Sequence, residues 1–143
     1  MTEQLELERR IEARPETVFA YFVDPVRYAR WMGVDVELDP QPGGRYQVRV
    51  PQGYTAMGEF REVDPPRRVV FTWGWEGHDT VPPGTTEVAV TLTPDGDGTI
   101  VRLVHTNLPS PDEVSSHTFG WNRYLDRLVV AAGGGDPGPD VAD

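Results

Sequence analysis

Four side chains carry chemistry at positions where the local pattern turns them toward an apolar face: Arg9, His105, His117 and Tyr124. Two imidazoles on facing elements could serve as acid and base, or as metal ligands. A metal centre needs a third ligand in settled geometry. The remaining histidine, His78, falls in a loop rich in glycine and proline, and the chain has neither an HExxH motif nor clustered carboxylates. Neither a metal nor a cofactor is therefore expected. The ordinary alternative for His105 and His117 is a core histidine that hydrogen-bonds a backbone carbonyl. Arg9 lies among Leu5, Leu7 and Ile11 on the apolar side of an alternating segment. A guanidinium there needs a partner, because an unpaired charge away from water is costly. It could clamp a ligand carboxylate, form an internal ion pair with Glu62, or snorkel out at the strand end. The catalytic candidates are His105, Arg9 and Tyr124.

Nucleophilic chemistry finds no support. The chain has no cysteine, which removes thiolate catalysis, thiolate metal ligands and disulfides, and suits a reducing cytoplasm. Ser110, Ser115 and Ser116 cluster at a helix start, where serine caps, and no GxSxG elbow is present. Gly43-Gly44 and the glycines at 133–135 do not join a strand to a helix in phosphate-loop form.

The elements that must position these residues follow from periodicity. Residues 3–12 alternate as a half-buried strand. Pro15 then opens a helix with Val18, Phe19 and Phe22 on its apolar stripe, and Asp24-Pro25 starts a second, short helix that ends near Trp31. Six strands follow, near residues 34–38, 45–50, 54–63, 69–75, 86–93 and 99–107, separated by turn-forming Pro/Gly/Asp clusters. Such short connections make neighbours pair antiparallel. Gly58 inside the third of these strands marks a bend or a close backbone approach. Ser110-Pro111-Asp112-Glu113 is a capping box with proline at the first helical position. It opens a helix reaching about Ala131, with Val114, His117, Trp121, Tyr124, Leu125 and Leu128 on one face. The reading is α+β: a seven-stranded curved antiparallel sheet, two short helices after strand 1, and a long C-terminal helix. That helix is the one element large enough to cover the sheet's apolar face. Residues 1–132 make the domain, and 133–143 are expected to be a disordered acidic tail, lacking apolar anchors.

Bulk properties limit the partners. The chain has 143 residues and a net charge of −10, from 13 basic and 23 acidic side chains. That charge repels phosphate backbones and anionic lipid, so neither nucleic acid nor a membrane is an expected partner. The first residues mix acid and base without an apolar run, unlike a signal peptide.

The order and spacing of several short stretches resemble the helix-grip fold of START-like proteins, the SRPBCC superfamily. These stretches are residues 9–13 (RRIEA) with Pro15 and Val18-Phe19, Asp24-Pro25 through Trp31, residues 43–46 (GGRY), residues 58–63 (GEFREV) with Pro65-Pro66, residues 69–73 (VVFTW), the strand ending in His105, and Gly120-Trp121. Within the superfamily they are most similar to bacterial proteins named for the C-terminal domain of the Hsp90 ATPase activator. The resemblance spans about residues 5–130. It implies a cavity between sheet and last helix, often lined by aromatic side chains. It also implies a choice among hydrophobic-ligand binding, catalysis of the polyketide cyclase or aromatase kind, and a co-chaperone or regulatory interaction module. Family members often carry two adjacent tryptophans after the second helix; here the pair is Trp31-Met32, which alters fit rather than chemistry. Binding of a small hydrophobic or aromatic molecule is favoured over catalysis, and a homodimer stays open. The ligand-binding residues expected are Trp31, Met32, Tyr46, Phe60, Phe71, Trp73, Trp75, His105, His117, Trp121 and Tyr124, with Tyr54 a further polar tip.

Overall fold

The structure, a computed structural model, describes residues 3–142. Met1, Thr2 and Asp143 lie outside the described residues, and with them the first two residues of the N-terminal reading and the last of the expected tail. The elements are β1 (Glu3–Ile11), α1 (Pro15–Val23), α2 (Pro25–Tyr28), β2 (Asp35–Leu38), β3 (Arg45–Arg49), β4 (Thr55–Asp64), β5 (Arg68–Trp73), β6 (Thr86–Asp95), β7 (Gly98–Leu108) and α3 (Pro111–Ala132).

All strand pairs are antiparallel, in the order β1-β7-β6-β5-β4-β3-β2. From β2 to β7 the chain meanders, as short connections require. β1 is the exception: it sits beside β7 at the far edge, and α1 and α2 carry the chain across to β2 at the other. Alternation places Leu5 and Ile11 of β1, Val88, Val90 and Leu92 of β6, and Val101 and Leu103 of β7 on the buried face. α3 packs across β1 and β7 and touches α1. This is the helix-grip arrangement.

Gly58 shows how the sheet turns inward. A Cβ there would sit 1.9 Å from the carbonyl oxygen of Thr72. The β4–β5 register breaks between Phe60 and Glu62, and the Glu59 amide donates to Thr72 Oγ1 at 2.9 Å instead of to the ladder. The two halves of β4 thus serve different neighbours, β3 before the bend and β5 after it. A bulge of this kind increases local twist, and here it swings β2 and β3 around the aromatic core.

Two helix starts follow their caps. Asp24 Oδ1 accepts from the Val26 amide at 2.9 Å, and Ser110 Oγ accepts from the Glu113 amide at 3.2 Å. The expected capping box is half present: the Glu113 carboxylate faces His117 Nδ1 at 3.5 Å.

Residues 133–142 differ from the loose tail expected. They have no regular structure beyond a turn, as their composition dictates, but they fold back over α3 and the turn that follows α2. Arg127 donates to the carbonyls of Pro137 and Gly138, at 3.1 and 2.8 Å, and Arg123 Nη2 donates to that of Val141 at 2.6 Å. Asp140 is buried and its Oδ2 accepts from the Gly33 amide at 2.9 Å. The anchors are polar, made by two arginines one helical turn apart, and a search for apolar anchors does not reveal them.

Candidate functional site

Aromatic side chains from five elements stack through the interior. Tyr46 and Phe71 lie face to face at 4.1 Å, and Phe60 meets both edge-on. The hydroxyls of Tyr28 and Tyr46 hydrogen-bond each other, and burial raises the pKa of both well above the usual phenol value. Trp31 donates to the Tyr21 carbonyl at 2.9 Å. Every member of this group is fully buried or nearly so. Trp31, Tyr46, Phe60 and Phe71, expected to bind ligand, are therefore placed in the packed core and do not line the cavity that opens beside Trp73 and Trp121.

The chain of contacts continues through Trp73, whose ring centroid lies 5.1 Å from that of Trp121. These two indoles touch, so no gap opens between them. A cavity of about 330 Å³ opens beside them instead. Its inner wall is Trp73, Trp121 and Tyr124, its side walls are Met32, Val50 and His117, and its rim is Tyr54, Trp75 and Phe119. Tyr54 and Phe119 are 60% and 73% exposed, which leaves the rim open to solvent. The cavity thus lies between the β3–β4 hairpin, the segment after β5 and the first half of α3. Of the expected ligand-binding residues it brings together Met32, Trp73, Trp75, His117, Trp121 and Tyr124.

The two histidines are held by tryptophans. Indole nitrogen only donates, so each contact fixes a tautomer. Trp121 Nε1 donates to His105 Nδ1 at 3.1 Å. His105 therefore carries its proton on Nε2 and donates to Thr86 Oγ1 at 2.8 Å, which donates to the Trp73 carbonyl at 2.8 Å. Trp75 Nε1 donates to His117 Nε2 at 3.3 Å, leaving Nδ1–H to donate to the Glu113 carbonyl at 2.8 Å. Both nitrogens of both rings are engaged. Burial, with a smaller contribution from His117, lowers His105 to a pKa of about 3. His117 is also lowered, chiefly by burial, against the opposing effect of Glu113. The rings stand edge to face at 5.1 Å, and His105 is entirely buried, behind the cavity wall.

Arg9 takes a different place from any specific partner weighed for it. Its Nε donates to Asp126 Oδ1 at 3.1 Å and its Nη2 to Asn122 Oδ1 at 2.6 Å, both on α3. Glu62 pairs instead with Arg68. Asp126 and Asn122 lie on the flank of α3, so Arg9 ties β1 to the helix without bordering the cavity. Tyr124 does border it, and its hydroxyl is raised above the usual range by burial and by the neighbouring Asp140.

Sequence reasoning missed the polar rim: Gln52, His78, Glu113, Ser116 and Arg123. His78 Nδ1 accepts from the Val81 amide at 3.0 Å, and Val81 is fully buried, so the loop after β5 is a formed wall. The lone Val81 inside a loop of polar, glycine and proline residues was the available signal. Arg123 stacks over Tyr124, 5.8 Å from its ring centre, a contact that i,i+1 spacing on a helix hides. Among the described residues no group of three His, Cys, Asp or Glu side chains could hold a metal ion, and no helix is long and apolar enough to cross a membrane.

The comparisons fit this geometry. A family model described as "Activator of Hsp90 ATPase homolog 1-like protein" matches residues 12–133. The solution structure of an AHSA1-like protein from Rhizobium etli is similar with a TM-score of 0.78 and 43% identity, covering 98% of this chain and 88% of its own. The crystal structure of CalU16 from Micromonospora echinospora is similar at 0.76 and 28% identity, over 93% and 78%. DynU16, a protein of the dynemicin biosynthetic locus, is similar at 0.80 and 26% identity, covering 94% of this chain and 48% of its own. No curated protein matches the chain.

Proposed function

We propose that this chain, which belongs to the Activator of Hsp90 ATPase homolog 1-like family, binds a small hydrophobic or aromatic ligand in the cavity beside α3. The observation that carries the reading is the cavity itself: about 330 Å³, within the ~300–1,000 Å³ of small-molecule sites, walled by three indoles and open at one rim. Phe119 at that rim is 73% exposed; a ligand that covers it gives a reason for an aromatic there. The likeness to DynU16, from a biosynthetic locus, supports a small organic molecule as the class.

Binding is supported ahead of catalysis. A cyclase or aromatase needs an acid or base facing the ligand; the lone pairs of His105 and His117 are both taken by tryptophan N–H groups, which leaves Tyr124 as the one catalytic candidate that borders the cavity. The co-chaperone reading rests on the family's name. Native mass spectrometry of protein purified from its own host tests the proposal, with titration of the neutral probe 2-naphthamide followed by the side-chain NMR signals of Trp75 and Trp121. The expected result is a carried ligand, or a probe that shifts both indoles. A protein that carries nothing and whose indoles ignore the probe would overturn it.

A further inference from the structure

We propose that the cavity continues into a carboxylate-binding site, built by the Gly33 amide and the Arg123 guanidinium beside Tyr124, which the chain fills with its own Asp140. The ligand is then an aromatic carboxylate that displaces that side chain. This deepens the binding reading above and rests on it.

Three observations converge. The site adjoins the cavity: Arg123 and Tyr124 line it, and Gly33 follows Met32, which also lines it. The site is made for an anion: Gly33 N–H donates to Asp140 Oδ2 at 2.9 Å, Arg123 Nη2 faces Oδ1 at 3.7 Å, and the Tyr124 hydroxyl stays protonated beside the carboxylate. And Asp140 fits it imperfectly. It is buried, with a side chain fully hidden from water, yet Oδ1 has no hydrogen-bond partner among the described residues. With the Gly33 amide and the Tyr124 hydroxyl as its polar neighbours and only a long ion pair at Oδ1, this buried carboxylate recovers part of its lost hydration. The segment that delivers it adds small apolar area, since Val141 remains 55% exposed, Ala142 is exposed too, and the residues before them are glycine, proline and acid. Such a segment is held by polar contacts that water can replace, which puts it at the low-stability end of the fold. A ligand carboxylate attached to a ring already seated in the cavity would reach the same donors with better anchoring.

The test compares 2-naphthoate with its neutral isostere 2-naphthamide, by calorimetry, on the unaltered protein, Asp140→Ala and Asp140→Asn. Asp140→Ala is expected to raise naphthoate affinity about tenfold relative to naphthamide, as for a site its own segment occupies about nine-tenths of the time. Asp140→Asn, which keeps the bulk and removes the charge, is expected to give a smaller gain. In the unaltered protein, saturating naphthoate releases residues 136–142, seen as a collapse of their backbone heteronuclear NOE values, while naphthamide leaves them docked. Naphthamide binding with an unchanged affinity ratio in both variants, or a docked segment in the naphthoate complex, overturns the inference and leaves the binding reading standing. If neither probe binds any of the three proteins, the inference falls, and the binding reading falls with it if the protein also carries no ligand from its host.

Discussion

Trp121 Nε1 reaches from α3 to donate to His105 Nδ1 on β7 at 3.1 Å, and this one contact sets the tautomer of the histidine behind the cavity wall. With Nδ1 accepting, His105 is neutral and donates its single ring N–H, on Nε2, to Thr86 Oγ1. An imidazolium at this position would present an N–H to an indole N–H, a clash of two donors in a buried site.

That neutrality makes stability depend on pH. The unfolded chain binds a proton at His105 below about pH 6.5, while in the folded state the pKa is lowered to about 3. Between those values the unfolded state holds more protons, so stability is fully present above the unfolded pKa and declines as pH falls. One such group contributes a slope of about 1.4 kcal/mol per pH unit, and His117, lowered for the same reason, adds to it. Urea unfolding at pH 7 and pH 5 is expected to show the loss. A His105→Asn variant, weaker at both, is expected to show a shallower one; an equal slope in the variant would assign the effect elsewhere.

Replacing Trp121 by phenylalanine keeps most of the ring and removes the donor. His105 Nδ1 is then a buried acceptor with no partner, which costs about 1–3 kcal/mol. The urea midpoint is expected to drop accordingly, and 15N chemical shifts of His105 are expected to show a mixture of tautomers where the unaltered protein shows one.

Core and rim aromatics separate under mutation. Phe71 is buried and stacked on Tyr46, so Phe71→Ala is expected to cost about 3–5 kcal/mol. Phe119 is 73% exposed at the rim, and Phe119→Ala is expected to fall within about 0.5 kcal/mol of the unaltered protein while weakening 2-naphthamide binding several-fold. Thermal unfolding and calorimetry on the two variants check both halves.

Arg9 is expected to be dispensable for binding. Its partners are on the flank of α3, and Asp126 is largely exposed, where ion pairs contribute about 0–1 kcal/mol. Arg9→Met is expected to leave naphthamide affinity unchanged and to shift the urea midpoint only slightly. A large loss of affinity would restore the ligand-clamp reading.

Most elements were legible because their causes are local. Alternation in β1, the Asp24 and Ser110 caps and the turn clusters between strands each act within a few residues, and the elements begin and end close to those marks. The crossing of β1 to the side of β7 has no local signature; the helix-grip resemblance supplied it. The candidate site divides along the same line. The inward face of α3 was readable at His117, Trp121 and Tyr124, since spacing fixes which side of a helix a residue takes. Which inward aromatics close on one another and which leave space was not readable, and Trp31, Tyr46, Phe60 and Phe71 look no different in sequence from Trp73 and Trp75.

The sequence by itself determined the strands, the helices, the faces they bury and the family they belong to, because propensity, capping and period 2 or 3.6 are properties of neighbouring residues. Only the tertiary structure decided that Trp121 and Trp75 take the lone pairs of two histidines, that Arg9 belongs to α3, and that Asp140 returns to Gly33 across 107 residues of chain. Those are contacts between elements, fixed by how a curved sheet meets a helix, and no period along the chain encodes the distance between them.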